Sequence, residues 1–517
     1  MSSLGGLPVI ARKLSPANAS VAWSGRFVLP LLACATLLSG CIDVSVPDYQ
    51  RPDTPIKTSW SQGTTAAAPA GASAPASAPI SAADTITPDW WKQFHDPYLD
   101  SLVSRAIEGN FDIKVLAARI AVAGGQINEA RAGALPTADL GAGANFTKTT
   151  HQNFSKQYDV ATQVNWTIDI WGAVEKGVQA QQAEYHASEA DWRAGYLTLV
   201  ADVSTTYFQI LQFDDQIDQQ QKTLHTNQQI LAIYEGMLTN GLVPATQVMS
   251  QRAEINRLTK DLLELHRSRD LADNALATLI GIPAGDFKVP PGQLQKRVQI
   301  PVVPAGLPAQ LMARRPDVVA AEYRVLEAYD LVGQAKLAQL PTIGLTGQGG
   351  TASFALNTLL KSFTFGLMPS IDIPLLNPGV RAHVKTTKAQ TVVAEQQYRS
   401  AVMGAFEEVE NALVNLDAHT KQRKELEEEV AQLTVVGAQI EAQLKEGVVS
   451  QLQVFETERT LLAAQLELLQ NHQQILSDTV TLYKALGGGW PSVDVQGADS
   501  AKSASNVDAG VTNGATN

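Results

Sequence analysis

The most constraining feature of this 517-residue chain is an internal duplication. The tripeptide Leu-Pro-Thr at 135–137 recurs 205 residues later at 340–342, and each copy follows an Ala-Arg or Ala-Lys pair. The match extends in both directions through Asp112 and Asp317, Ile168 to Ile170 and Ile371 to Ile373, Gly241 and Gly447, and Gly281 and Gly487. A match kept in register over such a length indicates a duplicated fold. Two copies of one unit favour a pseudo-symmetric object such as a ring or a tube.

Residues 1–40 have the features of a secretion signal that ends in a lipobox. Basic residues precede an apolar run at 27–38, which leads into Leu-Ser-Gly-Cys at 38–41. A run of about a dozen residues is shorter than the ~20 that a membrane-spanning helix needs. Cys41 is therefore predicted to become a lipidated N-terminus. Ile42 follows it, whereas bacterial lipoproteins kept at the inner membrane typically carry Asp there, so this resemblance implies the outer membrane.

Composition divides the rest of the chain. After a lipidated N-terminal segment at 41–60, residues 61–88 are rich in Ala, Pro and Ser, and 491–517 are rich in Ala, Ser, Asn and Gly. Such segments cannot bury enough apolar surface to offset the entropy lost on ordering, so both are predicted to be disordered. Repeat one is predicted at 89–300 and repeat two at 301–490. The net charge of −12 argues against a nucleic-acid partner.

Each repeat contains a stretch in which apolar and polar residues alternate. In the first repeat, the apolar positions are Tyr158, Val160, Val164, Trp166, Ile168 and Ile170. This period of two is typical of a strand with one apolar face, and each stretch follows a Gly-rich partner. The pattern predicts hairpins at about 138–170 and 341–374. An ordinary half-buried sheet would give the same alternation, but four strands are too few to close a barrel, whereas three chains would supply twelve.

The remainder of each repeat has the period of long helices. No proline interrupts 172–243 or 379–490. Within 452–483 apolar residues alternate at three- and four-residue spacings, except that Arg459 and Gln473 fill two of the positions. A second seam repeats every seven residues from 461 to 482. A helix with two apolar seams must pack against neighbours on two sides. The stretch 379–447 would form a rod on the order of 100 Å long. We therefore predict long helical staves.

Several motifs, taken in order, resemble the outer-membrane factor family, the TolC-like and OprM-like (NodT-type) efflux lipoproteins of Gram-negative bacteria. The resemblance covers nearly everything from Cys41 to Trp490. Its specific parts are the lipobox, Trp90 to Pro97, Ala130 to Pro136, Ile168 to Gly172, Arg314 to Asp317, Gly366 to Pro374 and Tyr483 to Trp490.

The resemblance implies a mainly α chain with a pair of β-hairpins and an internal two-fold repeat. Three chains would combine their strands in a 12-stranded transmembrane β-barrel and their long antiparallel helices in a trimeric α-barrel. This homotrimer would sit in outer-membrane lipid, extend into the periplasm and serve as the passive, gated exit duct of a tripartite pump for drugs and other small molecules. Its implied partners are a periplasmic adaptor, or membrane fusion protein, and an inner-membrane transporter of the resistance-nodulation-division type.

The resemblance also implies a periplasmic gate. In related channels the helix just after the second turn lines the closed aperture with an apolar ring and an acidic ring. Carried over by spacing from Gly447, the apolar position is Leu452 and the acidic one is Glu456. A ring of Glu456 side chains in a narrow pore would attract cations. A solvated helix face for Glu456, and packing on the apolar seam for Leu452, remain the alternatives.

Four further residues are assigned structural roles by their positions. Gly241 and Gly447 interrupt the long helices at equivalent points, and glycine tolerates the left-handed conformation of a tight turn, so they are predicted to lie at the helix-hairpin tip. Asp169 and Asp372 close their strands just before long helices begin. A carboxylate there can satisfy free N–H groups, so both are predicted to be strand-to-helix caps.

The sequence lacks the usual motifs of catalysis. It contains no His-Glu-x-x-His, no Gly-x-Ser-x-Gly, no phosphate loop and no cysteine cluster. We therefore expect no enzymatic activity, no metal and no cofactor other than the covalent lipid on Cys41. Two alternative functions remain open at this point: an outer-membrane conduit for type I protein secretion, and a periplasmic coiled-coil stalk without a pore.

Overall fold

The computed structural model describes most of the chain between the predicted signal and the tail. The described residues are 45–55, 59–61, 89–148, 154–303 and 314–489. The predicted signal sequence, Cys41, nearly all of the predicted linker at 61–88 and the tail at 491–517 lie outside these residues.

The predicted hairpins form one antiparallel sheet. Its strands are β1 (Thr137–Thr147), β2 (Ser155–Ile168), β3 (Thr342–Ser353) and β4 (Thr364–Asp372). They lie in the order β1-β2-β3-β4, so that the hairpin of repeat one pairs with the hairpin of repeat two through β2 and β3. The two copies of the unit are therefore hydrogen-bonded to each other at the centre of the sheet.

The helices repeat the duplication in their lengths. Their bounds are α1 (Pro97–Gly109), α2 (Phe111–Ala132), α3 (Ala173–Thr239), α4 (Ala245–Leu279), α5 (Leu294–Arg297), α6 (Pro316–Leu337), α7 (Pro378–Lys445) and α8 (Gln451–Ala485). The helices α2 and α6 have 22 residues each, α3 and α7 have 67 and 68, and α4 and α8 have 35 each. Among the helices in the described ranges, none is both long and apolar enough to cross a lipid bilayer.

The long helices α3 and α7 are the staves of a helical wall. Helix α3 packs against α2 and α6, and also against α4 and α8. Helix α7 packs against α6 and α8. At ~1.5 Å per residue, α3 and α7 are each on the order of 100 Å long, as predicted. The wall is four helices wide along its whole length. The long helices α3 and α7 pack with α2 and α6 over one half of their length, and with α4 and α8 over the other half.

The core lies where the segment before α1 meets the two repeats. Trp90 is fully buried and stacks on Tyr483, with ring centroids 5.0 Å apart. Asp96 caps α1 by accepting a hydrogen bond from the N–H of Tyr98 at 2.8 Å, and it accepts another from the Tyr207 hydroxyl at 2.6 Å. The segment therefore joins α3 of repeat one to α8 of repeat two.

The packing of α8 departs from the predicted seams at its start. Leu476, Val480 and Tyr483 are buried as predicted, but Leu452 is 65% exposed. The residues that α8 buries near its start are instead Gln451 and Val454. Leu462, further along the same predicted seam, is buried, so the departure is confined to the first turns of α8, where the described residues leave Leu452 largely uncovered.

Candidate functional site

The two helix hairpins turn in the same way at Gly241 and Gly447. Both glycines are left-handed, with φ of 69° and 73°. The N–H of Leu242 donates to the carbonyl of Met237 at 2.9 Å, and the N–H of Val448 donates to Gln443 at 2.9 Å. These bonds close a Schellman motif at each helix end, which satisfies carbonyls that would otherwise lack partners. Any other residue would be strained at this φ.

The predicted gate residues lie on the first two turns of α8, directly after the second of these turns. Leu452 and Glu456 are four residues apart, so they share one face of the helix. Both are exposed in the single chain. The main-chain carbonyl of Glu456 accepts a hydrogen bond from the Thr460 hydroxyl at 2.8 Å, while its carboxylate points to an uncovered face. Their role at an aperture stays a prediction.

Beside this face, α8 is held to α3 by polar contacts. The Tyr234 hydroxyl donates to Gln451 Oε1, and Gln219 Nε2 donates to Gln465 Oε1 at 2.7 Å. Between these contacts, Asn227 Nδ2 lies 3.4 Å from a carboxylate oxygen of Glu458. We call this set of contacts the polar ladder; its members are Gln219, Asn227, Tyr234, Gln451, Glu458 and Gln465.

The polar ladder was not predicted, because five of its six members are amide or carboxylate side chains and the predicted seams consist of apolar residues. A signal for it exists, since Gln451, Glu458 and Gln465 recur every seven residues, as do Asn227 and Tyr234. Such spacing keeps side chains on one face of a helix that packs along its neighbour. The polar ladder therefore occupies the place that an apolar seam would take.

Glu458 is the least favourable member of the polar ladder. Burial raises its pKa, the Asn227 amide lowers it, and the charges of Glu441 and Glu254 raise it further. In repeat one the equivalent contact is an ion pair, in which Arg252 Nη2 lies 2.7 Å from Glu235 Oε1. An attractive pair between α3 and α4 is thus replaced by two acids between α7 and α8. At this position the second hairpin therefore lacks the attractive ion pair of the first.

Asp169 has the geometry of the predicted cap. Its carboxylate accepts hydrogen bonds from the N–H groups of Ala173 at 2.8 Å, Val174 at 2.9 Å and Glu175 at 3.2 Å. These are first-turn donors of α3, which have no partner within the helix. The carboxylate also lies at the positive end of the helix dipole.

The prediction for Asp372 is wrong. Asp372 is the last residue of β4, opposite Thr342, and α7 begins only at Pro378. The cap of α7 is Asn377, whose side chain accepts a hydrogen bond from the N–H of Val380 at 3.2 Å.

Strand register explains this difference. Thr137 lies opposite Asn165 in the first hairpin, and Thr342 lies opposite Asp372 in the second. Asp372 is thus the structural counterpart of Asn165, which lies 207 residues before it, whereas the Ile-Asp-Ile match pairs residues 203 apart. The similar letters at 168–170 and 371–373 are therefore out of structural register.

Asp169→Ala should cost about 1–2 kcal/mol of stability, because three first-turn N–H groups lose their acceptor. The matched control is Asp372→Ala, which removes a strand-end carboxylate of the other repeat and should change stability by no more than ~0.5 kcal/mol. Apparent Tm values from circular dichroism in detergent, at one scan rate, would compare them. Equal losses in the two variants would contradict the cap assignment.

The sheet presents one apolar and one polar face, and both are largely uncovered, although a 3₁₀ helix at Leu356–Lys361 covers Thr351 on β3. Leu140, Leu367 and Ile371 belong to the apolar face and are 78%, 58% and 68% exposed. On the opposite face, Asn165 Oδ1 accepts hydrogen bonds from Gln163 Nε2 at 3.0 Å and from the Thr346 hydroxyl at 3.2 Å. Exposed apolar area of this extent marks an interaction surface.

The outer strands of the sheet are unpaired on one side. Within the described residues, β1 and β4 each have a single neighbour. Their outward N–H and C=O groups can therefore pair with another chain. In the same residues, no group of three or more His, Cys, Asp or Glu side chains could hold a metal ion. The absence of a cofactor stays a prediction.

A family model described as outer membrane efflux protein matches this chain over residues 102–282 and 307–488. The two matched segments contain the first and the second copy of the duplicated unit. Together they cover more than half of the chain.

Individual relatives match over nearly their whole length. The toluene efflux pump outer membrane protein TtgF of Pseudomonas putida is 28% identical over 484 residues, which cover 90% of this chain and 97% of TtgF. The probable outer membrane lipoprotein SilC of Salmonella typhimurium is 27% identical over 477 residues, covering 90% of this chain and 99% of SilC.

Solved structures share the fold. The open-state crystal structure of the MtrE outer membrane channel of Neisseria gonorrhoeae is 27% identical in sequence, with a TM-score of 0.74 over 86% of this chain and 98% of MtrE. The resemblance seen in the motifs is confirmed, together with the outer-membrane location and the role in efflux. This chain belongs to the outer membrane efflux protein family.

Proposed function

We propose that three copies of this chain form a passive, gated exit duct for small molecules, as the outer-membrane component of a tripartite efflux pump. The observation that carries the proposal is the four-stranded sheet, with two open edges and an uncovered apolar face, at one end of helices on the order of 100 Å long. A single chain with such edges and such a face is incomplete.

Neighbouring copies of the chain can pair the open strand edges and can orient the apolar face toward lipid. If β4 of one chain pairs with β1 of the next, three chains give a closed cylinder of twelve strands without edges. The apolar face then meets lipid, and the polar face around Asn165 lines the interior. The alternative arrangement, with the apolar face inward, would place the polar face against hydrocarbon, which costs several kcal/mol for each polar group left without a partner.

The helical wall continues this cylinder into the periplasm. At its far end stand Leu452 and Glu456 on α8, beside the polar ladder. Hydrogen bonds between side chains can be exchanged for bonds to water at a small net cost of ~1 kcal/mol each, whereas separating an apolar seam exposes area to water. The first half of α8 is therefore suited to move away from α3, which would open a passage at the tip.

The duct itself needs no catalysis, and we propose that the chain has none. TtgF is named as part of a toluene efflux pump, and MtrE as a channel. By analogy, the partners here are a periplasmic adaptor protein and an inner-membrane transporter that supplies the energy. The cargo is a class of small toxic compounds chosen by that transporter.

Single-channel recording in planar bilayers, with the full-length acylated protein, tests this function. We expect discrete conductance steps from protein that native mass spectrometry shows to be trimeric. Trimeric protein without conductance, even under large applied voltages, would overturn the proposal of a duct. Protein that stays monomeric in mild detergent would overturn the proposed assembly.

Lipid attachment is tested at Cys41. Cys41→Ala should abolish acylation, seen in the intact mass of the mature protein, because the thiol is the attachment atom. Cys34→Ala is the matched control, since Cys34 lies within the predicted signal and should be removed with it. An unchanged lipid mass in Cys41→Ala would refute the assignment.

A further inference from the structure

Two exposed valines lie on opposite outer edges of the helical wall. Val115 on α2 is 51% exposed, and Val393 on α7 is 55% exposed. By the duplication, Val115 is equivalent to Ala320, 205 residues later, and Val393 is equivalent to Ala187, 206 residues earlier. Those two alanines are 1% and 0% exposed and belong to one small cluster between α3 and α6. Two positions that pack together inside the chain thus have equivalents that are exposed on its outer edges.

The equivalence between the copies holds for individual contacts. Asn110 Nδ2 donates to the carbonyl of Leu279 at 3.0 Å, and its equivalent Arg315 Nη1 donates to the carbonyl of Ala485 at 3.1 Å. In each case, a side chain just before a 22-residue helix binds the last turn of a 35-residue helix. Residues that are 205 apart before the strands, or 206 apart after them, therefore occupy equivalent places in the structure. Residues that are 203 apart at the strand ends do not.

We propose that Val115 of one copy packs against Val393 of the next, so that α2 and α7 of neighbouring subunits meet as α6 and α3 meet within the chain. The inference rests on the proposed trimer and specifies its contact. Inside the chain, α3 of repeat one packs against α6 of repeat two. The equivalent pair is α7 of repeat two and α2 of repeat one, which only a second copy can supply. Because three copies make three such contacts between them, none of their six outer edges is left open.

The seam between subunits would differ in chemistry from the one inside the chain. The inner seam contains ion pairs, namely Arg324 with Asp191 and Lys176 Nζ with Asp330 Oδ1 at 2.7 Å. The equivalents of Asp191, Lys176 and Asp330 are uncharged; they are Gln397, Ala382 and Gly125.

One charge is retained, since Arg324 is equivalent to Arg119 on α2. Arg119 is exposed and would reach the amide oxygen of Gln397 on the next copy. Exchanging two buried alanines for two valines adds apolar area where the ion pairs are missing. The contact between subunits is therefore apolar and should depend little on ionic strength.

Cysteine cross-linking tests the pairing. The full chain with Val115→Cys and Val393→Cys would be oxidised in the membrane and run on a non-reducing gel. We expect a covalent trimer that reverts to monomer on reduction, because each copy carries one cysteine for each neighbour. A disulfide requires Cβ atoms about 3.5–4.5 Å apart, so a short bifunctional maleimide is applied in parallel.

The matched control is Val115→Cys with Val435→Cys. Val435 is also on α7 and is 58% exposed, but it lies 42 residues further along, on the order of 60 Å away. This pair should give no covalent trimer. The parent chain contains only Cys34 and Cys41, which sets the background.

The outcomes separate this inference from the proposed function. If the parent protein is trimeric but neither oxidation nor the maleimide links the 115 and 393 pair, the seam is wrong and the duct stands. If the control pair links as well as the test pair, the seam is also wrong. If the parent protein is monomeric, the proposed assembly fails before the seam is at issue.

Discussion

Leu452→Ala combined with Glu456→Gln should raise the single-channel conductance of the reconstituted protein at least about two-fold. In the proposed trimer, three copies of α8 meet at the tip and each contributes these two side chains to one aperture. Leu452→Ala removes the bulk of a side chain that is 65% exposed in the single chain. Glu456→Gln removes the negative charge from an exposed position one turn later.

The two substitutions should also change selectivity in a way that separates their roles. A ring of carboxylates in a narrow pore favours cations, so Glu456→Gln alone should reduce cation preference. Leu452→Ala alone should raise conductance without altering that preference. Cells with the double variant should become more sensitive to large antibiotics, because the closed state is leakier.

The duplication provides matched controls on the first hairpin. The equivalents of Leu452 and Glu456 are Thr246 and Ser250, which are exposed on the first turns of α4. Thr246→Ala with Ser250→Ala should leave conductance unchanged if α8 alone lines the aperture. Unchanged conductance in the variant at 452 and 456 would remove both residues from the gate.

Arg269→Ala should lower the free energy of unfolding by about 3–5 kcal/mol, because it leaves buried carboxylates without their cation. The Arg269 guanidinium lies 2.6 Å from Asp214 Oδ1 and 2.5 Å from Asp273 Oδ2. It also donates to the carbonyl of Val289 at 2.6 Å. Burial lowers the pKa of Arg269, but the hydrogen bond and charge of Asp214 and the charge of Asp273 raise it above its ordinary value.

The second repeat shows what an uncharged version of this site looks like. The equivalents of Asp214, Arg269 and Asp273 are Thr420, Ile475 and Thr479, which line a cavity of about 190 Å³. Replacing a buried ion cluster by apolar residues of similar size is often neutral, whereas breaking it is costly.

The triple variant Asp214→Thr, Arg269→Ile, Asp273→Thr should therefore lose less than half of what Arg269→Ala loses. It should not be neutral, because the N–H groups of Gly292 and Val289 donate to Asp214 and Asp273 in the native protein. Greater loss in the triple variant than in the single one would contradict the argument.

The effect of Arg269→Ala should depend on pH. Burial already raises the pKa of Asp273, while the N–H of Val289 and the charge of Arg269 lower it. Without Arg269, the pKa of this carboxyl in the folded state rises further above its unfolded value of about 3.9. The part of the loss that comes from this carboxyl is therefore small below about pH 4, grows as the pH rises to the folded pKa, and is constant above it. Apparent Tm values across pH would show this, with the native protein as reference.

Much of the fold could be predicted from the sequence. The hairpins were predicted at about 138–170 and 341–374, and the strands span 137–168 and 342–372. The long helices followed from the absence of proline, and the glycine turns from the places where both copies break. Each of these depends on a short window of sequence, where alternation, spacing and backbone freedom act locally.

The site was harder to predict because its contacts join residues far apart in the chain. Gln451 meets Tyr234 across 217 residues, and its seven-residue spacing with Glu458 and Gln465 marks a helix face without indicating which distant residue covers that face. Asp372 was predicted to be a cap because its neighbours resemble those of Asp169, but the register of β3 and β4 displaced it.

The sequence by itself determined that this protein is a duplicated unit of strands and long helices in the outer membrane efflux protein family. It did so because duplication, periodicity and turn residues are local properties. Only the tertiary structure decided how the two copies meet: through β2 and β3, through α3 and α6, and through the polar ladder between α3 and α8. These contacts depend on packing between segments some 200 residues apart. They also explain the exposed valines on the outer edges, which lie at positions equivalent to the contact between α3 and α6 and can make that contact only with another chain.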